Sequence, residues 1–258
     1  MRASEFIAKH PLCCFCGGSV PSETIDHQPA KIVFPGKNRP KGLEFPACKR
    51  CNEQTSVDEC ILAFVARLTG SLRGVGPDVG LKRALDTIRS AHPNLLLSMH
   101  GSRVDVGGGQ TKPAIDVNRP EINLGLCRIA AKLALATFYG ETGSIAGPDT
   151  RIHAMWTHNQ RHDSAREVEQ LLGRFPSSKQ LKQGQWDTGD SFYVRFMIDK
   201  NECRTVVQLG AVFHESVALM AQFVEGIDPA DWEPLAYTFA PDAANGIMTV
   251  GQRWDVGI

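Results

Sequence analysis

The chain has no surplus of charge: 28 Lys and Arg stand against 28 Asp and Glu in 258 residues. A protein whose whole surface grips a polyanion needs a basic excess, so that class is excluded. No apolar run approaches the ~18–20 residues that span a bilayer, and the opening "MRASEFIAKHPL" lacks the apolar core of a secretory signal. A cytoplasmic protein with no membrane partner is the expectation. Internal repeats and low-complexity tracts are missing too. A hydrophobic fraction of 42% with 22% charged residues then excludes disorder and fibrous repeats.

Cysteine is plentiful instead. Of eight, five fall within residues 13–51, and in a reducing cytosol such clustering indicates metal rather than disulfide. Cys13-x-x-Cys16 and Cys48-x-x-Cys51 form two knuckles. Zinc favours four thiolates in a tetrahedron, and each C-x-x-C turn offers two sulfurs at a fitting separation, closing the shell to water. Cys14 could replace Cys13, but C-x-C is the tighter and rarer chelate, so Cys13 is preferred. A ~60-residue module buries only about 60% of its unfolded surface. Structural zinc contributes roughly 10–16 kcal/mol in small peptides, enough to decide whether such a module folds. Cys60, Cys127 and Cys203 sit among apolar neighbours and are expected in the core.

Hydrophobic periodicity predicts an α+β protein. "SETIDH" and "GLEFPA" read as short strands, and the segment between them holds three prolines and reads as loop. Helix is expected from about Lys49, with Ile61, Leu62, Val65 and Leu68 at helical spacing, and again over Val79 to Ala91. The stretch from Pro93 to Pro120 suggests strands joined at Gly107-Gly108-Gly109. "EINLGLCRIAAKLALATFYG" is apolar on most sides and predicts a buried helix. "DSFYVRFMID", "KNE" and "CRTVVQLGAVFH" read as a β-hairpin. Residues 1–70 are expected to form the zinc-stabilised module. Residues 71–258 are expected to be an α+β domain of helix and antiparallel sheet that recognises a partner, ligand or DNA.

Between the knuckles stands Asp26-His27, and next to the second stands Asn52. If zinc holds the knuckles together, all three polar groups converge. A carboxylate and a carboxamide oxygen suit Mg²⁺ or Mn²⁺, and a histidine titrating near pH 6.5 suits a general base. Residues 31–50 carry Lys31, Lys37, Arg39, Lys41, Lys49 and Arg50 against Glu44 alone, a local balance of six minus one, or +5. Such a patch can grip phosphates.

"CCFCGG…TIDHQPAKIVF…LEFPACKRCNEQTSVDE" resembles an HNH endonuclease of the ββα-metal type with a four-cysteine structural zinc. The likeness covers roughly residues 12–60. It implies a small ββα module and hydrolysis of nucleic-acid phosphodiesters, DNA first. The implied roles are His27 activating water, Asp26 and Asn52 holding a catalytic divalent cation (Mg²⁺, Mn²⁺ or Ni²⁺), and the basic residues binding the backbone. The family's middle Asn is replaced here by Gly42, followed by Leu43. Phosphodiester hydrolysis requires removal of up to ~23 kcal/mol or more of barrier, and a general base supplies only about 3–5.5. A metal and rigid positioning must therefore supply the rest in that scheme. Compact nuclease-plus-sensor chains also resemble effectors of bacterial anti-phage or mobile-element systems, and a homodimer or a regulatory protein partner is compatible with that plan.

Other readings are separable. A zinc-stabilised nucleic-acid-binding or adaptor module that does not cleave shares every cysteine. A zinc deaminase needs H-x-E and P-C-x-x-C, whereas this chain has His27-Gln28-Pro29 and Ala47 before Cys48. A redox C-x-x-C lacks its βαβ context here. His158 and His162 are four apart, on one face if that stretch is helical, and read as a solvated or helix-start pair. Ser56, Asp58 and Glu59 read as helix-face and strand-bracing groups.

Overall fold

The computed structural model describes residues 2–34, 39–71, 79–105, 108–117, 119–158, 162–179, 181–183, 186–188, 191–202, 204–226 and 237–252. The order is α1 (Ala3–Lys9), β1 (Thr24–His27), a 3₁₀ turn (Lys31–Val33), β2 (Glu44–Ala47), α2 (Lys49–Gln54), α3 (Ser56–Ser71), α4 (Val79–Ala91) and α5 (Pro93–Met99). There follow β3 (His100–Asp105), β4 (Thr111–Ile115), α6 (Pro120–Thr142), β5 (Arg151–His158), α7 (His162–Gly173), β6 (Ser177–Lys179), β7 (Lys182–Gln183) and β8 (Trp186–Asp187). The chain then runs through β9 (Phe192–Lys200), β10 (Thr205–Phe213), β11 (Val217–Glu225), β12 (Tyr237–Asp242) and β13 (Gly246–Gln252).

Seven strands form one antiparallel sheet in the order β13-β12-β5-β11-β10-β9-β6. Along β9, Phe192, Val194 and Phe196 point inward while Tyr193 and Arg195 alternate outward, the period-2 signature of a sheet with one buried face. β10 departs from alternation at its end, where Gly210 to Phe213 are all buried. There α7 covers the outer face. A Cβ on Gly210 would meet the tip of the Leu172 side chain at 2.0 Å, so a larger residue there would force Leu172 to shift.

α6 lies on the inner face. Pro120 opens it, Gly143 closes it in the left-handed conformation at φ 69°, and both choices suit helix ends. Phe138 stacks on Phe223 of β11 with centroids 4.6 Å apart. By length and composition α6 could cross a membrane, an exception to the sequence reading that no run does so. Its apolar window is 72% buried within the fold, as befits a core helix.

The α+β class stands, with two local differences. Pro93–Met99 is helix rather than strand, and only its continuation pairs, as β3 with β4. His158 ends β5 while His162 begins α7, so the two share no helix face. Cys127 is buried, Cys60 is half-buried, and Cys203 lies outside the described residues. One contiguous core runs from Cys13 and Phe45 through α3 and α6 to Phe239 and Ile247. The cysteine-rich segment is thus packed on the same helix that supports the large sheet.

Candidate active site

Cys13, Cys16, Cys48 and Cys51 are all buried, and their sulfurs lie within 4.8 Å of one another. In a tetrahedral Zn–S₄ centre with Zn–S ~2.3 Å the sulfurs stand about 3.8 Å apart, so a small contraction seats the ion. Hydrogen bonds from Cys16 and then Cys51 hold the Cys13 thiol down at about 2. The same contact pushes Cys16 up to about 12. Four negative sulfurs cannot share this volume without a compensating cation. The cluster can hold a structural metal such as zinc, and Cys14, buried beside it, is outside the ligand set.

The knuckles fasten a ββα unit. β1 and β2 pair antiparallel, with Asp26 opposite Phe45 and His27 opposite Glu44. Cys48 caps α2, its sulfur accepting from the Cys51 N–H at 3.5 Å. The turn between β12 and β13 seats on this helix. Gln54 Nε2 donates to the carbonyls of Asn245 and Ile247 at 3.2 and 3.0 Å, and Gln54 Oε1 accepts from the Ile247 N–H at 3.0 Å. Gly246 lies against the cysteines at φ 79°, where an added Cβ would stand 2.5 Å from Gln54 Oε1 and 3.3 Å from Cys51 Sγ.

Successive side chains of a strand point to opposite faces, and that rule divides Asp26 from His27. Asp26 faces inward and is 2% exposed. Its Oδ2 lies 2.5 Å from the ammonium of Lys132, which is wholly buried on α6. That contact is an ion pair without hydrogen-bond alignment. Asp26 Oδ1 accepts from Gln28 Nε2 at 2.8 Å. The same ammonium donates to Thr55 Oγ1 at 2.6 Å, stands 3.9 Å from Glu59 Oε1, and lies 5.2 Å from the Phe15 ring centroid. With one ammonium between two carboxyls, Glu59 is pushed up to about 7, by burial first. Beside it Asp58 pairs with Arg128 at 2.8 Å, and a Cβ on Gly125 would meet Asp58 Oδ1 at 2.6 Å. Asp58 and Glu59 therefore brace α3 against α6.

His27 occupies the other face. Its side chain is 28% exposed, and Nε2 lies 3.8 Å from Glu44 Oε1. Burial lowers its pKa, helped by the positive charges of Arg39 and Lys31 and opposed by Glu44 and Asp26. The imidazole is therefore neutral near pH 7 and able to accept a proton. Asn52 is half-buried and its Nδ2 donates to Thr24 Oγ1 at 3.1 Å, while Thr24 in turn donates to the Ala47 carbonyl. Asn52 thus ties α2 to β1 two residues before Asp26.

The basic residues divide. Arg39 is directed inward: its guanidinium donates to the carbonyls of Pro29 (2.7 Å), Pro40 (3.0 Å), Gln28 (3.0 Å), Gly42 (2.6 Å) and Leu43 (3.2 Å). The mouth of the hairpin bends through Gly42 at φ 118° and Leu43 at φ 49°, and Arg39 clasps it shut. Arg39 was expected on a phosphate backbone; its donors are already engaged with carbonyls. Arg50 donates to the Ala243 carbonyl at 3.3 Å, so it helps hold the β12–β13 turn. Lys31 and Lys41 are exposed, and Lys49 is exposed with Glu53 at 3.9 Å. Lys37 lies outside the described residues.

The implied divalent site at Asp26 and Asn52 does not fit these surroundings. Both carboxylate oxygens have partners, one of them a cation, and Mg²⁺ requires several retained waters in an octahedral shell. Sequence reasoning missed Lys132, Gln28 and Thr55 here. The one available signal was a lone lysine within "RIAAKLALATF", an apolar helix where a charge demands a partner. No known family model, no curated protein and no solved structure matches this chain.

Proposed function

We propose that the chain is an HNH-type endonuclease that hydrolyses nucleic-acid phosphodiester bonds, DNA first, with His27 as general base. The reading rests on one observation above the others. His27 stands at the outward end of β1 in a ββα unit closed by four cysteines, neutral and half-buried beside Lys31. Arg39 supports it by bridging Gln28, Gly42 and Leu43 across the hairpin mouth, the service the family's middle Asn gives. Lys31, Lys41 and Lys49 offer the phosphate contacts, and each lysine lost should reduce the salt slope of binding by about one. Within a cell such a module would need restraint by the remainder of the fold, as in an anti-phage effector.

A second reading, a zinc-stabilised nucleic-acid-binding or adaptor protein that does not cleave, is favoured by the pairing of Asp26 with Lys132. One experiment separates them: cleavage of supercoiled, linear and single-stranded DNA and of RNA, with Mg²⁺, Mn²⁺, Ni²⁺ or EDTA, by wild type and His27→Ala. The nuclease reading expects nicking that falls about 10²–10⁴-fold in His27→Ala. Equal binding by both proteins with cleavage by neither would establish the adaptor.

A further inference from the structure

Lys132 is the feature that the ββα plan does not require. It arrives from α6, has no exposed surface, and places its ammonium 2.5 Å from Asp26 Oδ2 and 2.6 Å from Thr55 Oγ1, with Glu59 Oε1 at 3.9 Å. A buried ammonium is tolerated only when paired, so each of these contacts holds it in place. A divalent ion at Asp26 would have to share one carboxylate with this fixed charge. It would also need to displace Gln28 from Oδ1 and find room for water beside two side chains that are 2% and 1% exposed. The carboxamide of Asn52 is aligned on Thr24.

We propose that Lys132 is a resident cation: it neutralises Asp26 where the ββα-metal plan places a divalent ion, and fixes β1 behind His27 without one. The meaning of the site rests on the HNH reading above, while the cation itself rests on the Asp26–Lys132 pairing. Lys132 is a positioning residue, since it acts on His27 only through Asp26 and the strand both belong to. On this account Asp26 takes no part in binding Mg²⁺ or Mn²⁺ in the zinc-loaded protein.

The test uses the full chain loaded with zinc. Mn²⁺ is titrated into wild type, Asp26→Asn and Lys132→Gln, free Mn²⁺ is read by electron paramagnetic resonance, and melting is recorded with and without Mn²⁺. Wild type should show no Mn²⁺ site that depends on Asp26, and its melting temperature should not respond. Lys132→Gln leaves Asp26 and Glu59 facing a vacated cation position. It should gain a Mn²⁺ site that wild type lacks, because ligand charge is uncompensated, together with a rise in melting temperature on adding Mn²⁺. A Mn²⁺ site in wild type that Asp26→Asn abolishes overturns the proposal. So does a folded Lys132→Gln that takes up no Mn²⁺. If Lys132→Gln does not fold, wild type against Asp26→Asn decides alone. The outcome is separable from the nuclease question. A protein that cuts and carries an Asp26-dependent Mn²⁺ site keeps the nuclease and loses the resident cation; one with neither cleavage nor such a site keeps the cation and favours the adaptor.

Discussion

The cysteine corner and the Asp26–His27 corner lie in the same fifty residues, yet they are built in opposite ways. The cysteine corner takes all four groups from two short turns, and together they can hold a cation suited to four sulfurs. The inner face of β1 takes its cation from the chain itself, 106 positions beyond Asp26 (132 minus 26), on a helix that also carries the large sheet. Local chelation suits the first corner to a metal. Long-range pairing makes the second dependent on the fold.

The sharpest way to break this contrast is to remove a sulfur. Structural zinc contributes roughly 10–16 kcal/mol in small peptides, against a total domain stability of about 5–15. Cys48→Ser should therefore lose zinc and unfold the segment around β1, β2 and α2, and strong chelators should do the same to wild type. Metal analysis and circular dichroism check both, with about one zinc per chain expected in wild type. Cys14→Ser is the control. It buries a hydroxyl at a cost of about 1–3 kcal/mol yet should retain the zinc, because Cys14 is outside the cluster. If Cys14→Ser releases zinc, the ligand assignment fails.

Next in size is the cation from α6. Lys132→Met removes one partner of a buried pair and should cost about 3–5 kcal/mol, read as a fall in denaturation midpoint. Asp26→Asn combined with Lys132→Met removes both charges and should recover much of that loss, since replacing a whole buried pair is often close to neutral. A double mutant no more stable than Lys132→Met alone would show that the two side chains are not coupled.

What the sequence made legible follows the same division. The two knuckles, the strands ending at His27 and Ala47, and the helix starting at Lys49 depend on spacing and local propensity, and the structure has them at those places. Val79–Ala91 and the hairpin of β9 and β10 were legible from periodicity. The convergence of Asp26, His27 and Asn52 into one pocket was a spatial inference. The alternation of β1 sends Asp26 and His27 to opposite faces, while Asn52 reaches only Thr24. Lys132 and the inward turn of Arg39 could not be read, because each is fixed by partners that only the tertiary fold supplies. Composition cannot distinguish an arginine that grips phosphate from one that clasps five carbonyls. Helical propensity likewise placed no helix at Pro93, a residue that terminates strands and opens helices equally well.

The Arg39 clasp supplies a third, smaller effect, on the side of His27. Arg39→Ala removes the guanidinium donors from the part-buried carbonyls of Gln28, Pro29 and Pro40 and should destabilise the protein by about 1–3 kcal/mol. Arg39→Lys should recover little, because a lysine cannot reproduce the planar fork. If Arg39 contacted phosphate instead, Arg39→Lys would retain both stability and the salt slope of nucleic-acid binding. Measuring melting and salt-dependent binding on the same two variants distinguishes a clasp from a contact.

The smallest effect compares the two faces of β1 through pH. His27 is lowered from 6.5 by burial and by Arg39 and Lys31, so the folded protein binds this proton less readily than the unfolded chain. Its contribution to stability is fully present above pH 6.5 and is lost as pH falls through the depressed folded value. Glu59, on the inner side, has the opposite sign. Burial raises it from 4.5 to about 7, so the unfolded chain ionises first. Its contribution is present below pH 4.5 and is lost as pH rises to about 7. Wild type adds the two slopes. His27→Gln should leave stability falling more steeply from pH 5 to 7, whereas Glu59→Gln should leave it flat or rising over the same interval. Denaturation midpoints across that range read both directly. Two variants that move the slope in the same direction would mean that His27 and Glu59 do not occupy environments of opposite character, and the division of β1 into a wet face and a charge-paired dry one would fail with them.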